Sequence, residues 1–531
     1  MDQLRTILQN KIAGQLPRVL TLLDKNPYSP TRGCFDRKYW HYKIIDFPSG
    51  MQQELVLPLA YAFSTDFPGN RLYKLERVRE YLEGIFLYHR RSCHADGSLD
   101  DYFPHERAFG ATAYALAALT EAALLSQACP EEALESFERS GAFLSQYREP
   151  GTLSNHLAIA SLALTNLQAL TGNIRWKTAS LGLVEDLGAL QHSEGWFPEY
   201  QGCDLGYQTV TVEFLARRYQ RLPDERLLGM LSKAVAFLVN FMHPDGSLGG
   251  EYGSRNTYNF YPGGFAVMSL LLPQAQQALG YFLKGVEGGG CGYLEDDGVF
   301  GHLLSSYVTA LRCGEIKVVM PEVKSVSAPS VKNFAGAGLF TAATGTLSLF
   351  GSLTKGGVYK LFKEDRLLAS DTGFMGRLID GRLFCQNKPR VSAGYLKDNS
   401  IFIKGNFSAY QPKRLGRPAM VCLRIFSLLF GWLPWYSSVM RAAMQRSLVY
   451  GRKKLGIGFA RTIVLRENEI EVTDEIIPSK DSPIDSLRRT TDSVDTHVVT
   501  SDAFQSANLL PWEKISTDGL KGVIRCQKRY A

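Results

Sequence analysis

Asn155 and His156 open an apolar helical stretch directly after a glycine turn, and Tyr207 stands 52 residues further on, at the start of the next stretch. Between them lies Glu199, in Glu194-Gly-Trp-Phe-Pro-Glu199, and beyond them Arg255, in Glu251-Tyr-Gly-Ser-Arg255-Asn256-Thr257-Tyr258. An amide beside a charged imidazole can neutralise a carboxylate, and a guanidinium can grip one in bidentate fashion. A tyrosine, whose ordinary pKa is about 10, serves as a base only where nearby cations favour its phenolate. Glu199 could orient a neighbour or a ligand hydroxyl. Each residue also has a plainer use. Asn155 could cap its helix, Tyr207 could be a half-buried packing residue, His156 could be structural, and Glu251 could pair with Arg255. His105-Glu106-Arg107 reads either as a solvated charge cluster or as a ligand contact. Glu199, Glu251 and Glu106 also offer carboxylate pairs for acid–base hydrolysis.

The elements that must position these residues are repeats. Five turns, Asp96-Gly97-Ser-Leu, Pro150-Gly151-Thr-Leu, Glu194-Gly195-Trp-Phe, Asp245-Gly246-Ser-Leu and Asp297-Gly298-Val-Phe, place their glycines 54, 44, 51 and 52 residues apart. That period fits two helices plus loops, and helix pairs with one apolar face must stack. Phe109 to Ser126, His156 to Leu170, Tyr207 to Arg221 and Phe265 to Leu272 carry apolar residues at helical spacing. The expectation is an (α/α) toroid over residues 71–320, with the polar loops gathered on one rim. Residues 1–70 read as an irregular extension packed on it.

After Pro321 the segments turn short and β-branched or alternating, with no helices between them. This predicts an antiparallel β-sandwich over 321–531, hence an α+β multidomain protein. One stretch interrupts it at about 411–455. Between Asn399 and Arg466 there are 12 Lys/Arg and no Asp or Glu, around the apolar run Val421 to Trp435 with Arg424 inside it and Pro434 near its end. The run is shorter than the roughly 20 residues of a spanning helix. Paired tryptophans flanked by cations suit the face of an anionic membrane, and a helical insertion packed on the protein itself is the other reading.

Composition excludes little else. The net charge of +7 over 531 residues is mild and its basic residues are concentrated in one place, so nucleic acid is not expected. Nine scattered cysteines without a Cys-x-x-Cys pair argue against a disulfide framework or a zinc site. The first 25 residues lack a continuous apolar core, so no signal peptide is read and a cytoplasmic location is expected, peripheral on the membrane if the basic insertion docks there. No Walker loop, Rossmann glycine motif or Gly-x-Ser-x-Gly occurs.

A toroid followed by a sandwich resembles the heparinase II/III-like and alginate-lyase-like polysaccharide lyases. Leu153-Ser-Asn155-His156-Leu157 resembles the site that neutralises the substrate's uronate carboxylate, and Glu194 to Glu199 followed by Tyr207 resembles the pattern that supplies the catalytic tyrosine. Gly356 to Gly373, ending Leu-Leu-Ala-Ser-Asp371-Thr-Gly, resembles the first strands of that family's sandwich. The resemblance implies a carbohydrate-active enzyme that abstracts the C5 proton of a uronate and β-eliminates. Asn155, His156 and Tyr207 would be catalytic, Arg255, Asn256, Glu199, Tyr258, Glu251, His105 and Arg107 would bind an acidic glycan, and no metal or cofactor is implied. A hydrolase, a C5-epimerase or a non-catalytic glycan-binding scaffold of the same architecture are the alternatives. One departure stands out: where the family has a His-x-x-Asp-like element 16 to 18 residues before the Asp371 position, this chain has Leu353-Thr354-Lys355.

Overall fold

The computed structural model describes all residues except 1, 150, 152, 201, 292, 293, 295–297, 323, 324, 389, 411–415, 434, 445–453, 480–482, 494–503 and 517–521. Thirteen helices come first among the described residues: α1 Asp2–Leu22, α2 Arg37–Trp40, α3 Val56–Ser64, α4 Glu76–Ser92, α5 Phe109–Ser126, α6 Glu131–Gln146, α7 Ser154–Thr171, α8 Ile174–Leu190, α9 Leu205–Arg221, α10 Glu225–Val239, α11 Pro262–Met268, α12 Pro273–Glu287 and α13 Phe300–Arg312. The odd-numbered helices from α3 to α13 touch in order, and α13 returns to α3, so they close an inner ring. The even-numbered helices α4 to α12 lie outside it, each against an inner helix. Inner helices are covered on most sides, which suits the apolar α5, while α9 buries the charged Glu213 and Arg217. α5 is long and apolar enough to cross a membrane, yet 89% of it is buried inside the protein.

Residues 1–70, expected to be irregular, are in large part helical. α1 buries Leu4, Leu8, Ile12, Leu16 and Val19, one every three or four residues, and packs on α13 and α3 where the ring closes. The glycine turns have a common geometry that their sequence only half reveals. In His94-Ala-Asp-Gly97 and His192-Ser-Glu-Gly195 the glycine N–H donates to the histidine carbonyl at 2.9 and 2.8 Å. Gly97, at φ +85°, lies so close to α6 that a Cβ would come within 2.3 Å of the Arg139 carbonyl carbon. The glycines thus allow each turn to press on the outer helix of the following pair. The turns expected at 150–153 and 297–300 include residues outside the described set.

Two short strands, β1 Pro198–Glu199 and β2 Gly202–Cys203, form a hairpin before α9. The other strands are β3 Val326–Phe334, β4 Leu339–Gly345, β5 Leu347–Ser352, β6 Tyr359–Lys363, β7 Arg366–Asp371, β8 Phe374–Leu378, β9 Leu383–Cys385, β10 Ser392–Lys397, β11 Ser400–Tyr410, β12 Lys454–Arg466, β13 Glu469–Ile477, β14 Ile484–Arg489, β15 Glu513–Ile515 and β16 Ile524–Tyr530. β3 to β7 make a five-stranded antiparallel sheet, and β8 to β16 a nine-stranded one. One core joins them, with Phe340, Leu349 and Leu361 of the small sheet against Ile403, Ile463 and Val472 of the large one. The outer face of the small sheet meets the helical ring: Phe350 and Phe362 pack on His243, at 4.7 and 4.9 Å between ring centroids. Between β11 and β12 the chain leaves the sandwich as α14 Arg417–Phe430 and α15 Tyr436–Met444.

Buried charge holds the inner ring together. Arg217 on α9 bonds Glu121 of α5 and lies 3.6 Å from Glu213, and Arg312 of α13 bonds the other oxygen of Glu121. With Arg217 shared, burial pushes the Glu213 carboxyl up to about 7. A carboxyl raised in the folded state stabilises fully below its ordinary pKa of 4.5, and that contribution is lost as pH rises through 7. Stability should therefore fall on the order of 2 kcal/mol across this window, and Glu213→Gln should flatten the fall. The measurement is melting temperature from pH 4.5 to 8; superposable curves for the two proteins would refute the assignment.

Candidate active site

α7 begins at Ser154 after Leu153, which offers no side-chain cap, so Asn155 is inside the first turn and does not cap the helix. Ser154 Oγ donates to the Pro198 carbonyl at 2.7 Å, and the Asn155 N–H donates to Glu199 Oε1 at 2.9 Å. This ties the helix start to the β1–β2 hairpin. The Asn155 side chain is fully buried beside the Glu199 carboxyl and makes no properly formed hydrogen bond to protein. A buried amide left without partners is uncommon and marks a place for a ligand. His156 bonds Glu149 and stands edge-on to Tyr114 of α5, its ring passing over Gly110, where a Cβ would lie 2.5 Å from Cε1.

The second half of the site is arranged by Asp204. It caps α9 by accepting the Tyr207 N–H at 3.1 Å, and it also accepts the Arg255 N–H at 2.8 Å and the Thr257 hydroxyl. A carboxylate at a helix N-terminus also complements the helix dipole. Gly206 permits the contact, because a Cβ there would come 2.2 Å from Thr257 Oγ1. The Arg255 guanidinium then sits over the rings of Tyr207 and Tyr200, 4.1 and 4.5 Å from their centroids, and 3.5 Å from Glu199 Oε2. Burial raises the Glu199 carboxyl, with Arg255 pulling the other way. Tyr200 turns the hairpin at φ +56°, a strained backbone for a residue of its size.

The third component comes from the interruption in the sandwich. α15 carries Arg441 to the ring, where it bonds Glu149 and lies 3.0 Å from Glu106. Burial pushes the Glu106 carboxyl up to about 7 against the pull of Arg441. Glu149 is buried as well, but His156 and Arg441 together hold it below the usual carboxylate range. His105 and Arg107 are under this insertion: Gly431 packs against the His105 ring, and Arg107 donates to the Trp432 carbonyl at 3.3 Å. The insertion thus packs on the helical ring.

Asn155, His156, Tyr207, Arg255 and Glu199 come together. Glu251, Asn256 and Tyr258 are instead in the seam with the sandwich. Lys355 Nζ bonds the Glu251 and Gly253 carbonyls, each at 2.6 Å, and the Asn256 side-chain oxygen. Lys360 Nζ is 3.2 Å from Glu251 and 4.6 Å from the Tyr258 ring centroid. The lysine at the position of the departure from the family pattern therefore braces the loop that carries Arg255. Sequence reasoning missed Asp204, Glu149 and Arg441. The first had a legible signal, an Asp three residues before Tyr207 at a helix start. Among the described residues no group of three or more His, Cys, Asp or Glu is placed to hold a metal.

Partners in this site separate structural from ligand-facing groups. Asp204→Ala strands several buried donors and should cost roughly 2–4 kcal/mol, whereas Asn155→Ala should change stability by less than about 1 kcal/mol. Chemical denaturation of the two variants checks this. Equal losses would mean that Asn155 is a structural residue.

No family model matches the chain, and none of the curated proteins searched does. Solved structures do resemble it. The chondroitin AC lyase of Streptomyces coelicolor A3, solved in complex with chondroitin sulphate, superposes with a TM-score of 0.56 at 9% identity, over 92% of this chain and 68% of that one. A mutant of the same lyase gives 0.52 with the same identity and coverage, and heparinase III gives 0.48 at 10% identity over 83% of this chain and 64% of that one. The chain has the fold of the chondroitin AC lyase, a helical domain followed by antiparallel sheets, as the heparinase II/III-like resemblance implied.

Proposed function

We propose that this protein acts on an acidic, uronate-containing glycan by abstracting the proton at C5 and eliminating across the C4–O bond. The observation that carries the reading is the fully buried Asn155 amide, without a well-formed hydrogen bond, beside Glu199, Arg255 and Tyr207. The C5 proton of a uronate is weakly acidic, and the carbanion forms only if charge on the carboxyl group is compensated as it develops. Asn155 supplies a free amide N–H for that oxygen, and His156, oriented by Glu149, supplies a second polar contact. Tyr207, as its phenolate, takes the proton and becomes a neutral phenol, and the Arg255 guanidinium over its ring balances the phenolate charge before the transfer. The electron pair then forms the C4–C5 double bond as the bond to the leaving oxygen breaks, and a proton returns to that oxygen. The chondroitin sulphate bound to the lyase of like fold supports this substrate class.

Incubation with a panel of uronate polymers should give near-ultraviolet absorbance from an unsaturated sugar. Tyr207→Phe should lower the rate about 10²-fold or more with the fold intact. Absence of signal on every polymer, or full activity in the variant, would defeat elimination. Deuterium entering at C5 without chain cleavage would identify epimerase chemistry, in which a solvent-derived proton is delivered to the opposite face of the carbon.

A second reading rests on the insertion. Glu106, pushed up to about 7, and Glu149, held ionised, are two carboxyl groups with opposed pKa shifts bridged by one arginine. Opposed shifts suit a general acid and a base for glycoside hydrolysis. New reducing ends without unsaturation, abolished by Glu106→Gln, would select it. Sugar binding without turnover under either assay would leave the protein a glycan-binding scaffold.

A further inference from the structure

The α14–α15 hairpin presents an apolar face that the protein does not cover. Val421, Ile425, Leu428, Leu429 and Trp432 fall at i, i+4, i+7, i+8 and i+11 along one side, between 52 and 80% exposed, and Trp435 and Val439 continue it. The opposite side is occupied. Ser427 is buried and bonds the Tyr436 hydroxyl at 2.5 Å, Tyr436 packs on Phe103 of the ring, and Arg424 pairs with Asp46 at 3.1 Å. The hairpin is therefore fixed in place by one side and bare on the other. Beside it, anchored through Arg424, the loop at 41–46 exposes Tyr42, Lys43 and Ile44. Two segments nearly 400 residues apart in sequence thus bring large apolar groups to neighbouring places.

We infer that this face docks on an anionic lipid surface, with the hairpin lying in the headgroup region. Charge selects lipid over other occupants. Arg417 and Lys43 are exposed cations beside this face, and the chain has no carboxylate from Asn399 to Arg466, so a second copy set here would oppose like charges, whereas anionic headgroups complement them. Large aliphatic side chains with two tryptophans and flanking arginines match an interfacial helix, and α14, at 14 residues, is too short to span. The same hairpin holds Arg441 against Glu106 and Glu149, so docking would place the candidate active site at the membrane surface. A substrate reaching it there is a glycan still attached to, or emerging at, the membrane. The lipid contact itself does not depend on which reaction the site performs.

The test is co-sedimentation of the full chain with phosphatidylglycerol-containing vesicles and with pure phosphatidylcholine vesicles, at low and high salt. The full chain should bind the anionic vesicles at low salt, bind the neutral ones far less, and be released by salt. Leu428→Ser with Trp432→Ser, both on exposed positions, should weaken partition about 100-fold with an unchanged melting temperature. Arg417→Gln should weaken it about fivefold. Failure to sediment with anionic vesicles at low salt, or equal binding by the Leu428/Trp432 variant, would overturn the proposal. So would a dimer in analytical ultracentrifugation that the same variant dissociates, because the face would then belong to a second copy.

Discussion

The Asp204 carboxylate is the contact on which the candidate site depends. It accepts from the start of α9 and from the loop that carries Arg255, two segments that Thr209 and the Cys203 carbonyl also tie together further along. Once both backbones are fixed to one carboxylate, the Tyr207 ring and the Arg255 guanidinium have to meet, and Arg255 reaches Glu199. Glu199 in turn fixes the N–H of Asn155. Four side chains from three loops are thus positioned through a chain of charge-assisted bonds, which hold geometry better than neutral ones.

The sandwich braces the other end of the same loop. Lys355 and Lys360 are buried, and a buried ammonium is tolerated only with full compensation. The carbonyls at 251 and 253 and the Asn256 oxygen, which hold Lys355, and Glu251, which faces Lys360, belong to the helical domain, while Gln505 of the sandwich also accepts from Lys360 at 2.6 Å. Separation of the domains would cost both ammonium groups these contacts and expose the acceptors on the helical side. The two domains are therefore coupled through the loop that bears Arg255, and motion between them is resisted where the site needs rigidity.

Much of this architecture is legible in the sequence, for reasons that can be named. The glycine turns are visible because a positive φ and a close approach to the next outer helix both exclude a side chain. The histidine opening several of them was invisible as a motif, since its role is played mainly by its backbone. α1 has a regular apolar stripe, but charged and polar residues interrupt it so often that the stretch does not read as one apolar run. Asn155, Tyr207 and Arg255 were legible because they follow the turns. Glu251, Asn256 and Tyr258 follow a turn too, and nothing local tells a substrate contact from a contact to a domain a hundred residues later. The long-range partners, Lys355 and Arg441, could not be found by spacing at all.

Arg441 shows why the insertion matters to the chemistry. Glu106 and Glu149 arise on different loops of the ring and would be two close, buried carboxyls without it. Burial penalises both charges, and Asp101 and Asp100 also oppose ionisation of Glu106. With Arg441 between them, Glu149 is held below the usual carboxylate range and can orient His156, while burial and Asp101 raise Glu106 against the pull of Arg441. The protonation state beside Asn155 and His156 is therefore set by a residue of the hairpin whose other face is bare and apolar. Whatever holds that hairpin in place also holds the charge balance of the site.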